Sequence, residues 1–473
     1  MLLTEELLGS KGLKAGCLTV GDCISIAEEM GTTPGEIAIE EAALASGKSK
    51  KDVEEAVLKA FEHNLAAVDK GLTDGHSFIL GTVAKDLLKR GSSPVLMGEP
   101  LLDKALLYTL AAQVGNHEIG LQPCAGTGDS CPYTGVFKAM GECGINKDKL
   151  AQSTAIMLKV GTIFRAGKST TGCNMEGFGA GAAACAAAFV EMWSGDPQTM
   201  NRAICLAISP TIAVPCTPRV LVPGLCATHI GGAVLVGYYS AKLALLTEIP
   251  VNVDVDVMMA LAAAVHPVSA KHIVPINIKY LEPFFRRKEE VDAFIEPEIL
   301  REERRREAQV LADTKREVRA LASKANLILK PFGEACVGGS SQAVGSPTNC
   351  GRIAHALAKG KIRKVKIELY PELFARRGIN VQGILMGAVY GRGTDDAASY
   401  REVLGWIKRD GVEVEIKQVE ESQCQRVTLF TDAGTVMVDS RNRGGGRLAL
   451  VGAIPSLEAA RDAARKLGIV VTD

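Results

Sequence analysis

Thirteen cysteines fall in this chain of 473 residues, and several sit where glycine and proline disfavour regular structure. The densest case is PCAGTGDSCPYTG, residues 123–135, where Cys124 and Cys131 flank a glycine-rich run that contains Asp129. Its glycines and prolines argue against a long helix or a central strand. Thiols on such a loop admit three chemistries: metal or cluster ligands, a nucleophilic cysteine, or two buried thiols in a turn. Cys173 in KSTTGCNMEGFG, and Cys216 and Cys226 in VPCTPRVLVPGLC, share the pattern, each beside Gly or Pro at a turn that exposes a thiol toward a cavity. The spacing is not that of paired C-x2-C ligands, so a structural zinc is not indicated. Three scattered thiolates suit a 4Fe-4S cluster in which one iron lacks a protein ligand.

Other motifs carry less. GFGAG (residues 177–181) and RNRGGGR (residues 441–447) do not follow a strand and open a helix as nucleotide-binding loops do, so they read as close helix packing and a turn. His266 and His272 lie six apart with Pro267 between them, which is not the spacing of a helical metal pair. His229 is singled out because it follows Cys226 closely. Cys17, Cys23, Cys143, Cys185, Cys205, Cys336, Cys350 and Cys424 are expected to be structural.

The elements that must position these residues change along the chain. Up to about Val114 the pattern is helical, with Thr33 and Ser49 as N-caps. From there to Pro283 the chain is rich in Gly and Ala, and GFGAGAAACAAAFVEMW predicts a small-residue helix packed deep in a bundle. Residues 286–325 are densely charged with both signs, as in a solvated amphipathic connector. Beyond them KVKIELY, VEVEIKQV, RVTLFT and TVMVDS alternate as strands, separated by helical segments such as SPTNCGRIAHALAKG and DDAASYREVLGWIKRDG. The expected fold is multidomain, α and α/β: an all-helical domain over residues 1–283, a charged helical connector over 284–329, and a smaller α/β domain over 330–473.

Lys+Arg and Asp+Glu are both 54, and that balance argues against nucleic acid as a partner. No unbroken apolar run reaches the ~18 residues that a membrane span needs. The N-terminal segment lacks the pattern of a signal peptide. The reading is of a cytoplasmic protein with neither a nucleic-acid nor a membrane partner.

On these residues, from about Gly35 to Ala241, the chain resembles the α chain of iron–sulfur-dependent L-serine dehydratases. PCAGTG (residues 123–128) stands where that family has a PTAGS-type loop, and GCNMEGF (residues 172–178) is similar to its GCQAEVG-type motif. CTPRVLVPGLC (residues 216–226) is similar to its CDP…VPC pair, one residue shorter between the thiols. The resemblance implies a 4Fe-4S cluster held by Cys173, Cys216 and Cys226, and a homodimer. VGGSSQAVGS (residues 337–346) looks like the family's GPSSSHTxGP substrate loop, and VKIELYPELFARRGINVQGILMGA like the strand and KGHGTD segment that follow it. Two departures matter: Gln342 and Ala343 stand where that loop has His and Thr, and Ile379 stands where the second segment has His.

The implied chemistry is elimination from a small hydroxylated carboxylic acid, with L-serine the default substrate, giving pyruvate and ammonia. The open iron would act as a Lewis acid on the C–O bond while a base removes the neighbouring proton. Candidates for the base are Lys168 and Glu176, which bracket Cys173, and Asp129 on the opening loop. Ser340, Ser341 and Gln342 would meet the carboxylate, with the backbone N–H groups of Gly126 and Thr127 facing an anion. Two alternatives stand beside this: a cysteine desulfidase-type C–S lyase or dehydratase of another small hydroxy acid, and a non-catalytic iron–sulfur sensor or binding protein.

Overall fold

The computed structural model describes residues 3–91, 95–122, 130–166, 176–214, 222–325, 327–329, 335–441 and 456–472. It is about 67% helical, with one small sheet near the C-terminus. The chain divides into two compact units, Met1–Arg319 and Ala320–Asp473.

In the first unit local signals set the helix starts. Thr33 caps the Pro34–Ser46 helix through the Glu36 N–H, and Ser49 forms a reciprocal capping box with Asp52. Thr19 does the same with Asp22 for Val20–Met30. Each cap satisfies N–H groups that a helix start leaves orphaned. At the other end, Gly31 (φ 64°) and Gly47 (φ 68°) adopt the left-handed conformation that terminates a helix.

The core is built on backbone approach. In Gly181–Met192 every residue from Gly181 to Glu191 is buried, as the small-residue pattern predicted. That helix packs against Lys147–Ala166, Pro197–Ile208 and Leu225–Leu246. A Cβ placed on Gly237 would lie 2.7 Å from Cys185 Cβ and 2.8 Å from the Ala182 carbonyl oxygen. Glu62–Leu72 and Pro100–Ile119 interlock reciprocally: a Cβ on Gly71 would strike the Ala111 carbonyl, and one on Gly115 the Ala67 carbonyl. Glu191 is 1% exposed. Its carboxylate accepts from Gly35 N–H at 3.0 Å and from Lys149 Nζ at 3.1 Å, tying three helices.

Two expectations change here. The Ser130–Glu142 helix takes in the second half of PCAGTGDSCPYTG. Pro132 lies in its first turn, where a missing N–H costs no intrahelical bond. Pro267 does not interrupt the chain either, because Val255–Leu281 runs through both Pro267 and Pro275. In that helix Val255, Met259, Ala262, His266 and Ser269 form the buried side, while Val257, Leu261 and Val268 are exposed. Leu225–Leu246 and Val255–Phe284 are long and apolar enough, by length and composition, to cross a membrane, although no unbroken apolar run announces it; half of the first window is buried inside its unit. The charged stretch forms a short Glu289–Asp292 helix and then Pro297–Ala322, which has no buried residue.

The second unit holds a five-stranded sheet in the order β2-β1-β3-β4-β5. Its strands are β1 (Ile362–Leu369), β2 (Glu413–Gln418), β3 (Gln425–Thr431), β4 (Gly434–Asp439) and β5 (Val470–Thr472). The first four are the four expected strands. β1 and β2 are parallel and the remaining pairs antiparallel. Val365, Ile367, Leu369, Val427, Leu429, Val436 and Val438 are buried in one core with Ile353, Ile384 and Leu385, from helices Ser346–Leu357 and Arg377–Tyr390. The alternate side chains Lys364 and Lys366 instead pair with Glu413, Glu415 and Glu368. Period-two patterning therefore sorts the sheet into an apolar and a charged face.

Gly115→Ala is expected to destabilise the first unit by about 1–3 kcal/mol, because a methyl there must displace backbone. Gly9→Ala, with nothing within 4 Å of its added Cβ, should stay within about 0.5 kcal/mol. Thermal and urea unfolding of both variants measures the difference.

Candidate functional site

The helices that follow the three cysteine-bearing segments meet. Pro132 in the first turn of Ser130–Glu142, Gly181 at the start of its helix and Ala233 in Leu225–Leu246 touch: a Cβ on Gly181 would lie 3.0 Å from Ala233 Cβ and 3.5 Å from Pro132 Cγ. Phe178, in the π-helical turn Glu176–Ala180, stacks obliquely on His229 with ring centroids 5.4 Å apart. A Cβ on Gly232 would come 3.3 Å from the same ring. Only small residues on this helix face let the Glu176–Ala180 turn approach it. GFGAG is thus a close-packing device here.

Cys226 is the second residue of Leu225–Leu246 and is 6% exposed. At this position orphaned helix N–H groups favour negative charge. His229, one turn further on, is also buried. Cys131, in the first turn of its own helix, is buried and donates to Gln113 Oε1 at 2.9 Å. This is the geometry of a packed thiol. Cys23, Cys205, Cys350 and Cys424 are buried thiols pushed up to about 12, desolvation being the first cause. Burial raises Cys185 as well. Cys17 and Cys143, by contrast, are exposed.

Cys124, Gly126, Thr127, Asp129, Lys168, Cys173 and Cys216 lie outside the described residues, as do the side chains of Glu176, Ser341 and Gln342. Glu176 opens the π-helical turn that leads into Gly181–Met192. Ser341 and Gln342 open a second such turn, Ser341–Gly345. Ser340 precedes that turn, and its Oγ accepts the Ala343 N–H at 3.0 Å, which leaves the hydroxyl proton as a donor. Ile379 lies early in the Arg377–Tyr390 helix, and its carbonyl accepts from the Tyr400 hydroxyl at 2.6 Å. His266 is buried and His272 exposed on one continuous helix, so the two do not form a pair. Among the described residues no group of three or more His, Cys, Asp or Glu is placed to hold a metal ion.

Two positioning residues escape sequence reading. Asn64 is fully buried; its Nδ2 donates to the Gln122 carbonyl at 3.0 Å and to Thr134 Oγ1 at 3.2 Å, while its Oδ1 accepts from Gln122 N–H at 2.9 Å. One amide thus clamps the residues on either side of the 123–129 segment. The available signal was periodicity: Asn64 falls on the same helix face as the buried Ala67, Val68 and Gly71. His117 is the second. Its Nδ1 accepts from Phe78 N–H at 3.0 Å and lies 2.8 Å from Ser77 Oγ. The turn so held contributes the Ile79 carbonyl, which accepts from Gly224 N–H at 2.8 Å. Gly224 adopts φ 84° immediately before the helix that carries Cys226. His117 thereby fixes the approach to Cys226 through backbone alone. Arg286 and Lys288 lie over the Phe78 ring, 4.9 and 5.5 Å from its centroid, and give this turn a positive surrounding.

The chain matches no protein-family model, and no curated protein is significantly similar to it. The likeness to iron–sulfur serine dehydratases therefore rests on the quoted segments.

Partial desolvation of its ring lowers the pKa of His117, with Glu118 raising it less and His76 lowering it further. Its folded value thus lies below the unfolded value of about 6.5. The unfolded chain binds the proton more readily, so this contribution to stability is full above about pH 6.5 and is lost as pH falls toward the folded value. Histidine NMR titration should show His117 still neutral at about pH 6.5. His117→Ala should flatten that acid limb of stability, and an unchanged limb would assign it to other groups.

Proposed function

We propose that the protein is a 4Fe-4S-dependent lyase that eliminates water from a small hydroxylated amino acid, L-serine by default, yielding pyruvate and ammonia. The observation that carries this reading is the ordered set PCAGTG, GCNMEGF and CTPRVLVPGLC, taken with the meeting of the flanking helices at Pro132, Gly181 and Ala233. Cys173, Cys216 and Cys226 would hold the cluster. The described part fits such a group to the extent of one buried thiol at a helix N-terminus, with soft sulfur as the donor. When bound, the cluster would supply a Lewis-acidic iron able to ease departure of the hydroxyl group.

The chain's own residues have separate tasks. Gly126 and Thr127 would offer backbone N–H groups to the substrate anion. Ser340, whose hydroxyl proton remains a donor, would hydrogen-bond the carboxylate together with Ser341 and Gln342. The proton next to the carboxylate would pass to one of Lys168, Glu176 or Asp129. Arg286 and Lys288, gathered at Phe78, favour approach of an anionic substrate. The exchange of the family's loop His for Gln342 favours a second reading with the same site, a C–S lyase acting on cysteine and releasing sulfide. A cytoplasmic location belongs to this proposal.

Anaerobic purification of the wild type should give about four irons and four acid-labile sulfides per chain. Cys173→Ala, Cys216→Ala and Cys226→Ala should each lose them. Serine should then yield pyruvate and ammonia; sulfide from cysteine with no turnover of serine would select the second reading. Iron content indifferent to all three substitutions would overturn both.

A further inference from the structure

A cleft lies among three helices of the first unit. It has a volume of about 260 Å³ and is walled by Ala38 and Ile39 of Pro34–Ser46, Val53 and Val57 of Lys50–Lys59, and Ala155 and Leu158 of Lys147–Ala166. With about 30 Å³ per water in the liquid, that space holds roughly eight or nine waters, or a ligand of similar heavy-atom count. The walls are aliphatic, and the polar chemistry is concentrated in one ion pair.

That pair is Glu41 and Lys159, both lining the cleft, with Lys159 Nζ 2.6 Å from Glu41 Oε2. The Glu41 side chain is 4% exposed and that of Lys159 15%. Both Glu41 oxygens are engaged, because Oε1 accepts from Leu18 N–H at 2.9 Å. Lys159 differs: an ammonium has three donors, and Glu41 takes one. Among the described residues, two N–H donors on a cation held by a fixed carboxylate therefore adjoin an aliphatic cavity.

We propose that this cleft binds a short-chain aliphatic carboxylate, its two oxygens taken by the remaining donors of Lys159 and its hydrocarbon tail lying against Ile39, Val53, Val57 and Leu158. A carboxylate offers the ammonium an opposite charge and two acceptor oxygens where an alcohol offers one neutral oxygen, which selects an acid over its alcohol. An amine lacks the acceptor that Lys159 requires and would meet a second cation. Branched tails of four or five carbons fill the space. The site stands independently of the lyase reading, since none of its residues is a proposed ligand, base or substrate contact.

The test uses the full-length protein and 3-methylbutanoate, with 3-methylbutan-1-ol and 3-methylbutylamine as isosteres, in titration calorimetry and ligand-observed NMR. The acid is expected to bind with a dissociation constant on the order of 1 mM, a size consistent with so few atoms. The alcohol and the amine should bind at least about tenfold more weakly, since neither forms the ion pair with Lys159. Two variants address the site from different sides. Ala42→Phe places a ring at the exposed rim of the cleft, and Glu41→Gln with Lys159→Met removes the cation without leaving a buried charge unpaired. Each should lose binding by at least about tenfold, and retained helical circular dichroism shows that it is folded. Should the double variant fail to fold, Ala42→Phe decides alone. Equal binding of acid and alcohol would overturn the proposal, as would undiminished binding in a folded variant or no binding of the acid at about ten times the expected constant.

Discussion

Contact between helix backbones, with almost no side chain between them, is the constraint on which the first unit depends. Gly71 and Gly115 each face a carbonyl of the opposite helix, and Gly237 faces Cys185 and Ala182. Gly135 is pressed against Thr109 and Ala105 in the same way. Such approach fixes the separation and rotation of each pair, because the close-packed interior has no slack to absorb even a methyl. Glu191 works with these contacts, because its buried carboxylate is reached only where Gly35 allows the Pro34–Ser46 helix to come close.

Residues that flank the 123–129 and 215–221 segments are held by polar groups drawn from elsewhere in the chain. Asn64 joins Gln122 to Thr134, and His117 holds the turn whose Ile79 carbonyl receives Gly224. Both residues bond backbone groups of the neighbouring segments, and the Asn64 amide does so fully buried, where such bonds are strongest and hardest to replace. Gly232 and Gly181 then give Phe178 and the Glu176–Ala180 turn room against Leu225–Leu246. The second unit follows a simpler rule: alternation buries Val365, Ile367 and Leu369 under helices and leaves Lys364 and Lys366 to pair with glutamates on the other face.

Much of this was legible in the residues. The caps at Thr33 and Ser49, the buried Gly181–Met192 helix, the unburied charged helix Pro297–Ala322 and four of the five strands follow from local pattern. Local pattern is also what misled at Pro132 and Pro267. In the first turn a proline costs nothing, and at Pro267 the surrounding apolar helix carries the chain through a residue that usually ends one. The 3-residue strand β5 was missed because so short a segment has no periodicity, and pairing with β4 makes it a strand.

By itself the sequence determined the element types, the division into a helical and a mixed part, and the order of thiols on glycine loops, since each is written in neighbouring residues. Tertiary structure alone decided that Asn64 spans the 123–129 segment, that His117 reaches Gly224 through a turn, and that Cys131 is packed against Gln113. It alone brought Lys159 to Glu41, 118 positions apart, at an aliphatic cleft. The physical reason is common to all four. A helix face is encoded by period, but which face meets which depends on how closely whole helices approach, and that is a property of the packed bundle.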